Sequence, residues 1–244
     1  MKKLLFILFA AVAIVGCTKD AELDSAAIPE SFTVAELTRA GVQKESWALN
    51  DQIAIFESSD LETPKCYYVA DLTDRKLEPS DTDDQFYAVS TNKYVGFYPY
   101  VAGQSYDEYM AETTKNFSDK DIIWSGGGKF VASADLAFTH SQSYLSFGFT
   151  TTLDAGFDSL VATLYLGEES EELDVEIDDN TATAGVFVAP LDATAYSAMT
   201  KMELHIVAKS DGTPIYNIVD LSIASGITSW AANTSYSYDG LTIE

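Results

Sequence analysis

The chain is poor in the residues that site chemistry usually draws on. Its 244 residues include two cysteines and two histidines. No Cys or His stands at metal-ligand spacing to His140 or His205, so zinc sites of the usual pattern are excluded and both histidines take structural roles. Gly-x-x-x-x-Gly-Lys and Gly-x-Ser-x-Gly are missing, which removes the phosphate-cradling loop and the nucleophile elbow. Basic residues are scarce: 14 Lys and Arg stand against 38 Asp and Glu, for a formal charge of −24. Phosphate binding needs clustered cations, so nucleic acid is excluded as a partner, as is charge-driven docking on anionic lipid. There is no apolar run of about 20 residues, the length a membrane-spanning helix needs. No long helical pattern occurs either. Acidic runs such as Asp81–Asp84 and Glu168–Glu172 match no calcium loop and form a solvated acidic face. No metal, no cofactor and no enzymatic activity are expected.

The first seventeen residues carry the clearest signal. Lys2 and Lys3 precede twelve uninterrupted apolar residues, Leu4 to Val15. That is too short for a span and right for the apolar core of a secretory leader. Ile14-Val15-Gly16-Cys17 resembles the lipobox of bacterial lipoproteins. The resemblance implies a signal peptide over residues 1–16, removed on export, with Cys17 diacylated as the new N-terminus. The alternative is an ordinary signal peptide with a chance cysteine. Losing residues 1–16 takes Lys2 and Lys3 away and moves the formal charge from −24 to −26. The membrane link then has to be the lipid, and two or three acyl chains hold where one is marginal. With Cys17 acylated, Cys66 has no disulfide partner and is expected as a small buried side chain in a strand. Residues 17–30, polar and small, form a tether. Lys19-Asp20 loosely resembles signals that send lipoproteins to the outer face of the outer membrane.

Beyond the tether the chain is a series of short β-rich runs broken by Gly, Pro, Asn and Asp, which indicates a sandwich or barrel. Ser31–Leu37 is a candidate strand, ended by Thr38-Arg39-Ala40-Gly41. Strands are expected at Ile53–Phe56, Lys65–Val69, Phe86–Val89 and Tyr94–Tyr100. Leu77–Asp84 is expected as loop. Ser105–Phe117 is the one stretch with helical character. Later strands recur at Leu136–His140, Leu145–Phe149, Leu160–Leu166, Leu173–Ile177, Gly185–Pro190 and Met202–Ala208. Leu173, Val175 and Ile177 alternate with acidic residues, as one strand with a core face would. Asp211-Gly212 is a two-residue hairpin signal into Ile215–Leu221, and Trp230–Ile243 closes the chain. The expected fold class is all-β, two β-sandwich domains in tandem over residues 31–127 and 128–244, divided at Gly126-Gly127-Gly128. Thirty aromatic residues (14 Tyr, 13 Phe and 3 Trp) are available either for the core or for stacking on sugars.

The order of motifs resembles the fimbrillin-like proteins, the subunits of fimbriae assembled from lipoprotein precursors. Thr38-Arg39-Ala40-Gly41 followed by Trp47-Ala48-Leu49-Asn50-Asp51-Gln52-Ile53-Ala54-Ile55-Phe56 is similar to that family's Thr-Arg and W-x-x-x-D-x-I-x-I/V-F/Y. Val95-Gly96-Phe97-Tyr98-Pro99-Tyr100 resembles its aromatic Y-P-Y strand end. Asp121-Ile122-Ile123-Trp124, Leu136–His140 and Leu145 resemble D-L-L-x…L-x-F-x-H…L, and Trp230–Tyr238 resembles W-x-A-G-x-x-Y-x-Y.

The resemblance implies transthyretin-like topology in both domains and assembly by strand addition to other fimbrial subunits. A trypsin-like protease would cut between Arg39 and Ala40, removing Ser31–Leu37 and opening a groove for a strand of the next subunit. The alternative is that Arg39 is a surface loop residue. Only Asp239–Glu244 follow the last motif, so the chain is expected to accept a strand and have little to donate, as a tip or accessory subunit does. The expected location is the outer membrane and the fimbrium, with host or bacterial surface ligands as further partners. A second reading is a surface glycan-binding lipoprotein, which would share leader, sandwiches and aromatics. A hydrolase is a third, without a catalytic constellation to support it.

Overall fold

The computed structural model describes residues 28–37, 44, 46–118, 120–151, 157–178, 181–210, 213–221 and 226–243. The fold is all-β, with sixteen strands and two short helices among these residues. The first eight strands are β1 (Thr33–Val34), β2 (Gln52–Glu57), β3 (Asp60–Asp71), β4 (Lys76–Pro79), β5 (Tyr94–Tyr98), β6 (Ile123–Ser125), β7 (Asp135–Leu136) and β8 (Phe138–His140). They form one sheet in the order β7-β1-β4-β3-β2-β5-β6-β8. Its two end strands are consecutive in sequence, parted only by Ala137. The sheet therefore folds back on itself around an enclosed apolar cluster that includes Ile53, Ile55, Tyr67, Val69, Leu77 and Phe138. Strand β2 is buried on both faces: Ala54 and Phe56 join a second cluster with Val95, Phe97, Tyr109 and Ile122. Helix α1 (Tyr106–Glu112) covers that outer cluster. Ser105 caps it, its Oγ accepting from Glu108 N while the Glu108 carboxylate accepts from Ser105 N.

The remaining strands are β9 (Ser143–Thr151), β10 (Phe157–Leu166), β11 (Glu169–Leu173), β12 (Val175–Asp178), β13 (Thr181–Val188), β14 (Met202–Ser210), β15 (Thr213–Asp220) and β16 (Thr234–Ile243). They make two four-stranded sheets, β11-β10-β14-β15 and β12-β13-β9-β16. Leu145, Phe147, Leu164, Leu204, Ile206 and Trp230 lie in the core between them. The last strand, β16, runs parallel to β9 at a sheet edge, with a bulge between Tyr238 and Leu241 where Gly240 takes φ +76°.

The structure revises several sequence expectations. Leu77–Asp84 is not all loop: Lys76–Pro79 pairs with β3, and Pro79 is tolerated because it ends the strand. Phe86–Val89 is not a strand and carries a single bridge, Pro29 to Tyr87. Leu173–Ile177 is not one strand: the chain leaves one sheet at Leu173 and enters the other at Val175, so the alternation spans a crossing. Helix α2 (Ala193–Ala198), capped by Asp192, was not expected. The glycine run is a turn, with positive φ at Gly126, Gly127 and Gly128, but the first sheet continues past it through β7 and β8. Sheet membership changes between β8, which ends at His140, and β9, which begins at Ser143. The hairpin expected at Asp211-Gly212 joins β14 and β15, paired up to Ser210 and Thr213, although those two residues lie outside the described set.

Gly96 in β5 is needed for packing: a Cβ there would stand 2.6 Å from the Phe138 ring and 3.3 Å from Leu136. Gly96→Ala forces that buried ring aside and lowers the unfolding free energy by about 1–3 kcal/mol. A lower denaturation midpoint at an unchanged slope is the expected readout.

Candidate assembly site

The site is the slot that β1 fills between β4 and β7. Phe32 and Val34 point the same way, two residues apart, as a strand with one apolar face requires. Thr33 pairs antiparallel with Lys76 of β4 and parallel with Asp135 of β7. Only two residues satisfy strand geometry, against the seven of the expected strand Ser31–Leu37, yet the surrounding chain is tied throughout. Val34 N donates to Arg75 O (3.0 Å), Leu77 N to Phe32 O (2.9 Å), Thr33 N to Ala134 O (3.0 Å) and Ala35 N to Leu136 O (3.0 Å). Upstream, Glu30 N donates to Phe86 O and Ala88 N to Ile28 O, both at 2.8 Å. The Trp47 indole N–H donates to Ala35 O at 2.8 Å.

Three side chains of this segment are buried: Phe32 (0% exposed), Val34 (1%) and Leu37 (9%). The Phe32 ring meets Tyr67, Phe86 and Tyr94 edge-on, at centroid distances of 5.1, 6.0 and 4.9 Å. The outward contacts are weaker in kind. Thr33 Oγ1 donates to Asp135 Oδ1, and Arg75 pairs with Glu36, both exposed; an exposed pair contributes about 0–1 kcal/mol. Taken without residues 28–37, the slot is two strand edges with unpaired Arg75 O, Leu77 N, Ala134 O and Leu136 O over an apolar floor.

Tyr67 is a wall of this slot whose titration is shifted. Its hydroxyl accepts from Phe86 N at 2.9 Å. Burial pushes the phenol up to about 12 from an ordinary 10, against the lowering effect of the Phe86 N–H. An unfolded chain therefore loses the Tyr67 proton before the folded one does. The stabilisation is fully present below pH 10 and is lost as pH rises towards 12. Tyr67→Phe leaves the buried Phe86 N–H without its acceptor and lowers stability at neutral pH by about 1–3 kcal/mol. Denaturation midpoints of the variant should then fall less steeply than those of the native protein above pH 10.

Downstream, the chain is anchored again at Lys44 and Trp47. Lys44 Nζ sits 2.5 Å from Asp51 Oδ2 and 4.9 Å from the centre of the Tyr98 ring, and Trp47 packs edge-on against Tyr98 and Phe138. The sequence-derived site residues Cys17, Arg39 and Ala40 all lie outside the described residues. What the structure fixes is the chain on either side of Arg39-Ala40, buried at Leu37 before it and at Trp47 after it.

Other singled-out residues have structural settings. His140 Nδ1 is 2.7 Å from Asp121 Oδ2, both buried at the junction of the halves, and His205 Nε2 is 2.7 Å from Glu203 Oε2. Cys66 is buried (5%), receives the Ser80 hydroxyl, and has its thiol raised by burial. No group of three or more His, Cys, Asp or Glu among the described residues could hold a metal. Sequence reasoning missed Tyr67, Phe86 and Tyr94 as walls of the slot, because nothing local marks them as partners of Phe32.

The structure is similar to that of a candidate cell-adhesion protein from Bacteroides uniformis, at 15% identity and TM-score 0.53, over 88% of this chain and 93% of that one. A candidate cell-adhesion protein from Bacteroides ovatus matches at 12% identity and TM-score 0.54, over 90% and 93%. A fimbrilin from Porphyromonas gingivalis matches at 10% identity and TM-score 0.43, over 89% and 91%. The first two show a shared all-β fold. The all-β fold class expected from the sequence is thus borne out. No protein-family model and no curated protein matches the chain.

Proposed function

We propose that this chain is a structural and adhesive subunit of a cell-surface fimbria, exported as a lipoprotein through Cys17 and assembled by protease-triggered strand exchange. The observation that carries the reading is the β1 segment. It is an N-terminal strand that closes a sheet, buries three apolar side chains, and is followed by Arg39 within two residues of the last of them. A cut between Arg39 and Ala40 leaves residues 28–37 joined to the body by non-covalent contacts alone. Their departure opens an apolar slot whose main-chain groups suit an incoming strand. The same cut frees the body from the lipid, so the outer membrane is the address of the precursor and the fimbrium that of the product.

The accessory or tip position, rather than a shaft position, is supported by β16. Residues Thr234–Ile243 are paired along β9 within the same molecule, with Tyr238 in the core. As long as they stay so engaged, this stretch is not a donor. The glycan-binding alternative draws less support. Among residues whose burial is described, Tyr87, at 47%, is the one aromatic side chain that counts as exposed, and the rest are buried or half-buried.

The test is limited trypsin digestion of the purified protein, alone and mixed with a fimbrial shaft subunit. Trypsin-dependent joining to the shaft subunit, without self-ladders, supports the reading. Cleavage with no joining, or ladders of the chain with itself, contradicts the assembly or the accessory assignment respectively.

A further inference from the structure

We propose that the opened slot selects its incoming strand by one aromatic side chain, seated where Phe32 sits now. This rests on the strand-exchange reading above and names the chemistry of the partner strand. The rings around Phe32 all belong to the body of the molecule and are held there by bonds within the body, to which Glu30 of the removable segment adds Glu30 N to Phe86 O and the Tyr94 hydroxyl to Glu30 Oε2. Tyr67 and Phe86 stack at 6.1 Å with 9° between their planes, and the Tyr67 hydroxyl accepts from Phe86 N. Phe86 and Tyr94 meet at 5.4 Å, and the Asn92 amide donates to the Tyr94 hydroxyl at 3.2 Å. Behind the Phe86 ring stands Lys65 Nζ, 4.7 Å from its centre and fixed by Asp83 O and Gln85 O. Three rings present faces and edges from three sides to a fourth, an arrangement that an aromatic ring satisfies and an aliphatic chain fills only in part.

The other buried positions of the segment complete the pattern. Val34 follows two residues after Phe32 and Leu37 three after that, while Thr33 and Glu36 turn outward. The slot therefore calls for aromatic-x-aliphatic-x-x-aliphatic in a strand running parallel to β7. Tyr216-Asn217-Ile218-Val219-Asp220-Leu221 repeats this spacing elsewhere in the chain. It lies along β15 and just beyond, where β15 is paired with β14, so it serves here as a sequence probe rather than as a free donor.

The experiment uses the full chain cut at Arg39 with trypsin, with the released fragment removed by size exclusion and fluorescein-labelled peptides titrated by anisotropy. A peptide of residues 28–37 should bind. Its Phe32→Leu form should bind about 10-fold more weakly and its Phe32→Ala form about 100-fold or more, while Thr33→Ala changes affinity by less than about threefold. An unlabelled peptide of residues 214–222 should compete, and its Tyr216→Ala form should not. Equal binding by the Phe32→Leu and native peptides overturns the aromatic selection while strand exchange stands, as does failure of the 214–222 peptide to compete. If the fragment stays on the cut body and excess labelled 28–37 peptide does not replace it, the strand-exchange reading falls and this inference with it.

Discussion

Phe32→Ala lowers the unfolding free energy of the uncut protein by about 3–5 kcal/mol, the range for deleting a fully buried phenyl ring from a core. The residue immediately precedes a two-residue strand near the start of the described chain, where a small effect would ordinarily be expected. The magnitude follows from three ring contacts and complete burial. The diagnostic part is what happens after proteolysis. Once residues up to Arg39 have left, Phe32 is gone from both native and variant bodies, and the two should unfold at the same denaturant concentration. A substitution in the permanent core, such as at Leu145, has no such history dependence. Chemical denaturation before and after trypsin measures both halves of this prediction.

Arg39→Gln is the second large effect. It removes the positive side chain a trypsin-like protease requires, so release of the N-terminal segment should fall by about 100-fold or more, a loss on the scale of a deleted charge-assisted contact in a specificity pocket. The nearest other basic residue downstream is Lys44. Its side chain is only 14% exposed, held against Asp51 and over the rings of Trp47 and Tyr98, which makes it a poor substitute. The variant should remain as lipid-attached monomer, fold normally, and give no joined product on gels. Cleavage at an unchanged rate would move the processing site elsewhere and detach the mechanism from Arg39.

Much of the fold was legible because strands announce themselves locally. Clean alternation at Leu145–Phe149, the run Leu160–Leu166 and the Asp211-Gly212 turn each mark a strand or hairpin that the structure contains. Local signals failed where the answer depends on which strands meet. Leu173, Val175 and Ile177 alternate as a single strand would, but the chain changes sheets at Asp174, and Ile177 ends up 49% exposed at an edge. The glycine run reverses the chain without ending the sheet, since β7 and β8 return to close it. Lys76–Pro79 ends in a proline and leads into an acidic run, yet β1 and β3 on either side draw it into pairing.

The site was half legible for the same reason. Ser31–Leu37 could be picked out as a candidate strand and Arg39 from the motif order. The slot could not be, because its walls come from far along the chain: Thr33 reaches Asp135, 102 positions away, and the Phe32 cage is assembled from Tyr67, Phe86 and Tyr94. Phe86 in particular sits in a stretch that looks like a strand and is not one. Its ring and its backbone N–H and C=O serve the cage and the N-terminal segment instead.

In the proposed assembly the lipid on Cys17 and the closing strand share one removable piece of chain, so that one cut both detaches the subunit and opens it. The most direct measurement is the N-terminal residue of the protein recovered from assembled surface material, by Edman degradation or mass spectrometry of the terminal peptide. Ala40 is the predicted result. Acylated Cys17, with residues 18–39 still attached, would contradict it.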